Sequence, residues 1–543
     1  TYDYASWSFR KQAGFFDVVT YTGTGSSKTV SHNLGCVPGM IIVKMTTTAG
    51  YKWRVWHKSL GNSKALCLND TSAESDDGGG GGGWWNNTAP TSSVFSVGTY
   101  GQVNNNGDTF VAYLFADGDS SDAQIFGDDG DEAIIKTGSL TTDGNGDAEV
   151  TLGFEPQLLL VKATTRTGNW EVADNMRGLP ATMPDYASSL QTSLLYWNLQ
   201  NAEGSSKGRI TIKSNKFNVM QSASHTYIYM AIRRGPMKEP SAGTDVYNAV
   251  NRTGGGGSAS ITGVGFSPDF YLSKATNQGA YNPVLYNRLR SKRYLLTNDT
   301  GAQAGSDGGL ASYDMDGVSV ESGSTFGLDG SGDSIINYFF KRYPKVFDVV
   351  YYTGTGSSLN VTHNLKATPE LIIIKKTSEA SYAGWTVYYG TGSNVILNKN
   401  HATGHWFSNA VTAASATTFT AAANTDVNDS GESHIALLFA SLSGISKVGT
   451  YTGTGSDLNV TGLNAAARFV LIKRTDASGD WYVYDSTRGI VAGNDPYFFI
   501  NSSAVQVTNT DYIDPHSSGF TITSSAPDAL NASGGTYLYL AFA

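Results

Sequence analysis

The chain has 543 residues, enough for three to five domains. Only 15% of them are charged, against 12% aromatic residues and 63 glycines, a mixture of strand and turn formers that a disordered chain would not carry. The net charge of −9 without a basic stripe argues against nucleic-acid binding, two cysteines cannot build a disulfide framework, and no apolar run approaches the length of a membrane span.

There is no initiator Met and no signal-peptide segment, so the chain reads as a mature protein or a fragment. Tyr4-Ala-Ser-Trp-Ser-Phe-Arg-Lys-Gln-Ala-Gly-Phe-Phe-Asp17 parallels Ile335-Ile-Asn-Tyr-Phe-Phe-Lys-Arg-Tyr-Pro-Lys-Val-Phe-Asp348. The leading residues of the second run close the preceding unit, so residues 1–11 are expected to be the closing strand of an upstream domain. An opening motif then stands at Phe16-Asp-Val-Val-Thr-Tyr-Thr-Gly-Thr-Gly-Ser26, Phe347-Asp-Val-Val-Tyr-Tyr-Thr-Gly-Thr-Gly-Ser357 and Val448-Gly-Thr-Tyr-Thr-Gly-Thr-Gly-Ser456.

A second signature extends to five units. An aliphatic run ends in Lys-x-Thr at Lys44, Lys162, Lys274, Lys375 and Lys473. An aromatic residue follows: Trp53, Trp170, Tyr281, Trp385 or Trp481. An aromatic-aliphatic strand closes each unit, at Phe110–Ala116, Tyr227–Ile232, Ile335–Phe340, Ile435–Ala440 and Tyr537–Ala543. The motifs recur roughly every hundred residues, the size of one β-sandwich. The expected fold is therefore all-β: five tandem β-sandwich, jelly-roll-like modules at 12–118, 119–238, 239–344, 345–443 and 444–543. Short joints between them predict an elongated, semi-rigid rod. Tyr186–Leu195 is the best helix candidate, and Gly78–Gly83 reads as a mobile loop.

Few motifs carry chemistry. A lysine repeated in every unit reads as the exposed end of a central strand, its stem covering the sheet. Arg288, Arg290, Lys292 and Arg293 read as a solvated surface. Gly204-x-Ser206-x-Gly208 lacks the buried strand and following helix of a nucleophile elbow and reads as a hairpin turn. His401 and His405 have a zinc-like spacing but no glutamate, with Gly404 between them. Asp143, Asn145 and Asp147 alternate as calcium-loop ligands do, but Ala148 stands where such a loop needs glycine, so they are only a weak calcium candidate. Cys36 and Cys67 occupy places that sister units fill with apolar residues and read as small buried hydrophobes. No catalytic residue, metal or cofactor is expected.

The run from Ser6 to Gly25 resembles a module of large virion proteins of tailed bacteriophages, often found after lectin-like domains in aquatic and cyanobacterial phages. His32-Asn-Leu-Gly35, Pro38-Gly-Met-Ile-Ile-Val-Lys44, Trp85-Asn-Asn87 and Val111-Ala-Tyr-Leu-Phe-Ala116 look like the same module. The resemblance is specific for the first unit, good for the last two and skeletal for the second and third. It implies a virion location, on the outer surface as a tail or capsid appendage, and a structural, adhesive role rather than an enzymatic one. A tail fibre attaching to host-surface glycans is the expectation, with homo-oligomers (a trimer among them) and other virion proteins as partners. Aromatic residues in loops suit weak sugar contacts, which makes Trp84, Trp85, His405 and Trp406 the contact candidates. The alternatives are a capsid decoration or horn-like protein without a receptor, a glycan-degrading tailspike, and a bacterial surface adhesin.

Overall fold

The computed structural model describes residues 4–76, 82–181, 191–207, 209–279, 281–290, 292–304, 309–321, 326–381, 384–390, 394–404 and 409–543. The chain is all-β, and one sheet order recurs five times. In the fifth repeat the main sheet runs from the opening strand Ser446–Thr452 to the closing strand Thr536–Phe542. The central strand Phe469–Arg474, the aromatic strand Trp481–Asp485 and the short strand Phe498–Phe499 complete it. All neighbours are antiparallel. A second sheet joins Leu458–Thr461, Gly519–Ile522 and Ile513–His516. The third and fourth repeats have the same five-plus-three plan, and the first two add a sixth strand to the main sheet.

The core of the fifth repeat lies between its sheets. Val470, Ile472, Tyr482, Tyr484, Tyr537 and Tyr539 come from the main sheet, and Val460, Ile513, Phe520 and Ile522 from the second. Side chains alternate along a strand, so the other face of the closing strand points away from this core. There Leu538, Leu540 and Phe542 are buried too. The third repeat follows the same rule: Phe339 enters its own core, while Tyr338 and Phe340 reach the fifth repeat. A strand covered on both faces has no polar side, which explains the near-continuous apolar runs ahead of Lys-x-Thr.

The repeats do not behave as five separate beads. They gather into two compact units, Thr1–Asn175 with Gln191–Met237, and Met176–Leu190 with Lys238–Ala543. Within the second unit the linear rod is not found, because its first and last repeats touch directly. Tyr338 donates to Asp485 Oδ2 at 2.7 Å, and Arg468 to Asn248 Oδ1 at 2.7 Å. Phe340 and Phe542 pack 5.3 Å apart, and Phe439 and Phe542 6.3 Å apart. Buried aromatic faces, not linkers, set this arrangement.

Local details differ from expectation as well. Residues 191–195 lie in the strand Gln191–Tyr196, and the rest of the helix candidate lies outside the described residues, as does most of the glycine run. Short helices occur instead at Gly101–Asn104, Thr425–Asn428 and Asp528–Asn531, each just before a closing strand. Gly204–Lys207 is a strand paired with Gln191–Leu194, where a hairpin turn was expected.

Candidate functional site

The Lys-x-Thr motif is a docking device between repeats. The lysine is the penultimate residue of the central strand, whose alternation turns it toward the neighbouring repeat. Lys162 Nζ donates to Ser72 O at 2.8 Å in the first repeat, Lys375 to Thr300 O at 3.0 Å in the third, and Lys473 to Asn400 O at 3.1 Å in the fourth. Lys274 closes the circuit by donating to Ser503 O in the fifth at 2.9 Å. Each ammonium also reaches a carbonyl of its own repeat: Ala163 O, Lys376 O, Gly479 O and Tyr281 O respectively.

These four lysines are buried, which corrects their reading as exposed strand ends. Burial pushes each ammonium down to about 8. Converging carbonyl dipoles replace its water, the usual condition for keeping a buried cation. Lys44 alone is half-buried and donates to Tyr51 O of its own repeat.

The motif's threonine adds a backbone contact. Thr164 O accepts from Glu74 N, Thr377 O from Gln303 N, Thr475 O from Thr403 N and Thr276 O from Gln506 N, all between 2.8 and 3.0 Å. The aromatic residue completes the socket. Trp170 Nε1 donates to Cys67 O at 2.7 Å, and Trp385 and Trp481 to Leu296 O and Ile396 O at 2.9 Å. The three indoles are fully buried. Tyr281 has no indole N–H, and in its place Thr297 Oγ1 donates to Ile500 O at 2.6 Å.

A residue type missed in the sequence holds each tryptophan in place. Asn69, Asn198, Asn398 and Asn501 accept the backbone N–H of Trp53, Trp170, Trp385 and Trp481. The signal was an asparagine two residues beyond the end of a short strand, in Leu-Asn, Trp-Asn or Ile-Asn. A second missed set explains the Thr-Gly-Thr-Gly-Ser motif. Asn104, Asn428 and Asn531 accept from the backbone of Thr24, Thr355 and Thr454. They donate to the carbonyls of Ser26, Ser357 and Ser456. A Cβ at Gly23, Gly354 or Gly453 would collide with the backbone beyond that asparagine, so the turn needs glycine there.

The remaining candidates scatter. Trp84 and Trp85 are buried, not displayed. Trp84 lies under the Arg54 guanidinium at 4.1 Å and against Tyr100 at 4.5 Å, while Trp85 Nε1 donates to Lys64 O at 2.9 Å. Neither ring is presented to a sugar, because each covers the sheet beneath it. His405 and Trp406 lie outside the described residues. Asp143 caps a hairpin: its carboxylate accepts from Asn145 N at 2.8 Å and Asp147 N at 2.9 Å. Among the described residues no group of three His, Cys, Asp or Glu side chains is placed to hold a metal ion. Arg288 and Arg290 are buried, correcting their reading as a solvated face. Arg288 donates to Ser267 Oγ at 2.6 Å and Pro268 O at 2.5 Å, and Arg290 lies over the Tyr351 ring at 5.1 Å. Cys36 and Cys67 are free and buried, and burial pushes the Cys36 thiol up to about 11. His32 and His363 serve turns, each Nδ1 accepting the N–H two residues on at 3.2 Å.

The fold and its sockets define a class: an all-β repeat protein whose repeats dock head to tail through a buried lysine and an aromatic ring. The chain belongs to the family described as Domain of unknown function (DUF7483), whose model matches residues 5–236 and 242–543. The second stretch holds three repeats; the first holds two, together with residues 5–11. No curated protein matches the chain.

Proposed function

We propose that the chain is a structural protein of the outer surface of a tailed-phage virion, a tail fibre or tail appendage that contributes to attachment to host-surface glycans. One observation carries the structural half of this reading: the repeated polar residues are spent on holding repeats together. Lys162, Lys274, Lys375 and Lys473 all end on carbonyls of a neighbouring repeat and leave no charge for a substrate. The resemblance of the run from Ser6 to Gly25 to virion modules supports the location. Copies of the chain and other virion proteins would be its partners, a homotrimer among the candidate homo-oligomers. Five linked sandwiches remain the proposed organisation.

The burial of Trp84 and Trp85 favours a second reading, a capsid decoration or horn-like protein with no receptor. Two measurements separate the readings. Immunogold labelling of virions with antibody to the purified chain should mark tail appendages, and label absent from virions would end the virion proposal. Binding to host cells or a glycan array should be retained by the first reading. Label on the capsid without such binding would select the second.

A further inference from the structure

A head-to-tail contact used three times around an axis closes on itself, whereas the same contact used once leaves one head and one tail open. The second unit shows the closed case. Its three repeats donate lysines round a full circuit, from the fourth to the third, the fifth to the fourth and the third to the fifth. The first unit holds the contact once, from Lys162 of the second repeat to the first. Its open donor side is the first repeat: Lys44 is half-buried where the other four motif lysines are buried, and Trp53 is half-buried where Trp170, Trp385 and Trp481 are buried. Its open acceptor side is the second repeat, where the carbonyl of Tyr196 corresponds to those of Cys67, Leu296 and Ile396.

We infer that the first unit has a third position built to receive one further repeat of this same fold, whose closing strand is residues 4–9. The contacts of those residues reproduce a closing strand in the second unit, one by one. Trp7 Nε1 donates to Asp174 Oδ2 at 3.1 Å, as the hydroxyl of Tyr338 donates to Asp485 Oδ2 at 2.7 Å. Asp174 and Asp485 end the equivalent aromatic strands Trp170–Asp174 and Trp481–Asp485. Phe9 packs on Phe16 at 5.6 Å, as Phe340 packs on Phe347 at 5.8 Å. Gln12 bridges to Phe16 as Tyr343 bridges to Phe347 and Leu442 to Ser446. Gly14 N donates to Leu34 O as Lys345 N donates to Leu365 O and Gly444 N to Leu463 O.

Exposure alternates along this segment. Trp7 and Phe9 are half-buried while Ser6, Ser8 and Arg10 are exposed, the pattern of a strand docked on one face and uncovered on the other. Phe9 and Phe115 stand 5.6 Å apart where the second unit sets its own closing-strand phenylalanines together. The occupant is thus a repeat joined ahead of Tyr4 on the same chain, and its lysine would face the carbonyls beyond Tyr196.

Two extended chains test this. One carries residues 239–334 and the other residues 345–433, each fused ahead of Tyr4 of the full chain, so that residues 4–9 must supply the missing closing strand. Acylation of Lys44 is followed by peptide mass spectrometry, with Lys162 as internal reference. In the parent chain Lys44 should react fast and Lys162 slowly. In at least one extended chain Lys44 should slow at least about tenfold, as expected for burial in a docked contact. Lys44 labelling unchanged in both extended chains overturns the inference. So does an added segment that remains protease-sensitive in both, since the proposed strand should complete either one. A parent chain that dimerises with Lys44 already protected also overturns it, because a second copy would then fill the position.

Discussion

The first and second units use the same parts to different ends. In the second, Lys274, Lys375 and Lys473 are all buried in a neighbour's carbonyls. In the first, Lys162 does this while Lys44 turns back to Tyr51 O. The opening strand of the fourth repeat is more deeply covered than that of the first: Val349 and Val350 are buried, but Val18 and Val19 are only half-buried. Sequence motif and local geometry are the same in both places, so the difference lies in what stands alongside. A motif lysine in this chain is buried or half-buried according to its neighbour and not according to its own repeat.

The sharpest way to break that comparison is to remove the tryptophans. Trp385→Ala or Trp481→Ala should cost about 3–5 kcal/mol, because each buried indole leaves a cavity and an orphaned carbonyl. Trp170→Ala should cost as much in the first unit. Trp53→Ala should cost less than these, because its half-buried ring packs on Tyr113 of its own repeat at 6.2 Å and, among the described residues, makes no contact with a neighbouring repeat's carbonyl. Chemical denaturation of the full chain measures all four, and equal losses at Trp53 and Trp481 would erase the distinction between open and closed positions.

Acid sharpens it next. His57 is fully buried in the first unit: Ser59 N donates to its Nδ1 at 3.2 Å, so Nε2 carries the proton and donates to Tyr229 O of the next repeat at 3.2 Å. His434 is buried within the fourth repeat, stacked on Tyr352 at 5.1 Å. Burial pushes both imidazoles down to about 4 from an ordinary 6.5. The unfolded chain then binds more protons between those values. The stability is complete above pH 6.5 and is lost as pH falls toward 4, by about 3 kcal/mol per histidine. Proteolysis over that range should open the joint between the first and second repeats and, separately, the fourth repeat. His57→Gln should flatten the first effect alone, and a pH profile unchanged by it would refute the assignment.

The sequence carried the repeat and its strands because both obey local rules. Period-two alternation, apolar runs and turn glycines placed the central strands and the recurring Lys-x-Thr. It did not carry the grouping into two units, since a contact such as Tyr338 with Asp485 joins residues with no local relation. It also misjudged the lysines and Arg288 and Arg290, because a charged residue at a strand end looks the same facing water or facing a ring of carbonyls. Trp84 and Trp85 were misread for the converse reason: an aromatic pair beside a glycine run resembles a display loop until the sheet beneath is seen. The asparagine clamps were readable in principle, as Val-Asn or Leu-Asn ahead of three closing strands, but their partners lie 73 to 80 residues away.

Those clamps give the next effect in size. Asn104→Ala in the first unit and Asn531→Ala in the second each remove a side chain bonded on both its oxygen and its nitrogen. Each should cost about 2 kcal/mol by leaving buried backbone groups unpaired, and the same in both units because the clamp lies inside one repeat. Unequal losses in thermal unfolding would show that the open position also loosens the repeat next to it.

The smallest effect belongs to Asp143, whose carboxylate serves only its own hairpin. Burial plays little part there; backbone N–H groups from Asp147, Asn145 and Gly146 hold its carboxyl below the usual range. Asp143→Ala should lower the melting temperature less than Asn104→Ala does, since only one exposed turn loses its side-chain cap. Adding millimolar calcium should leave the melting temperature of the native chain unchanged, because Asp143 Oδ1 already accepts two backbone N–H groups. A calcium-dependent rise that Asp143→Ala abolishes would reverse this and make the loop a binding site. A rise that survives the substitution would place the ion elsewhere in the chain.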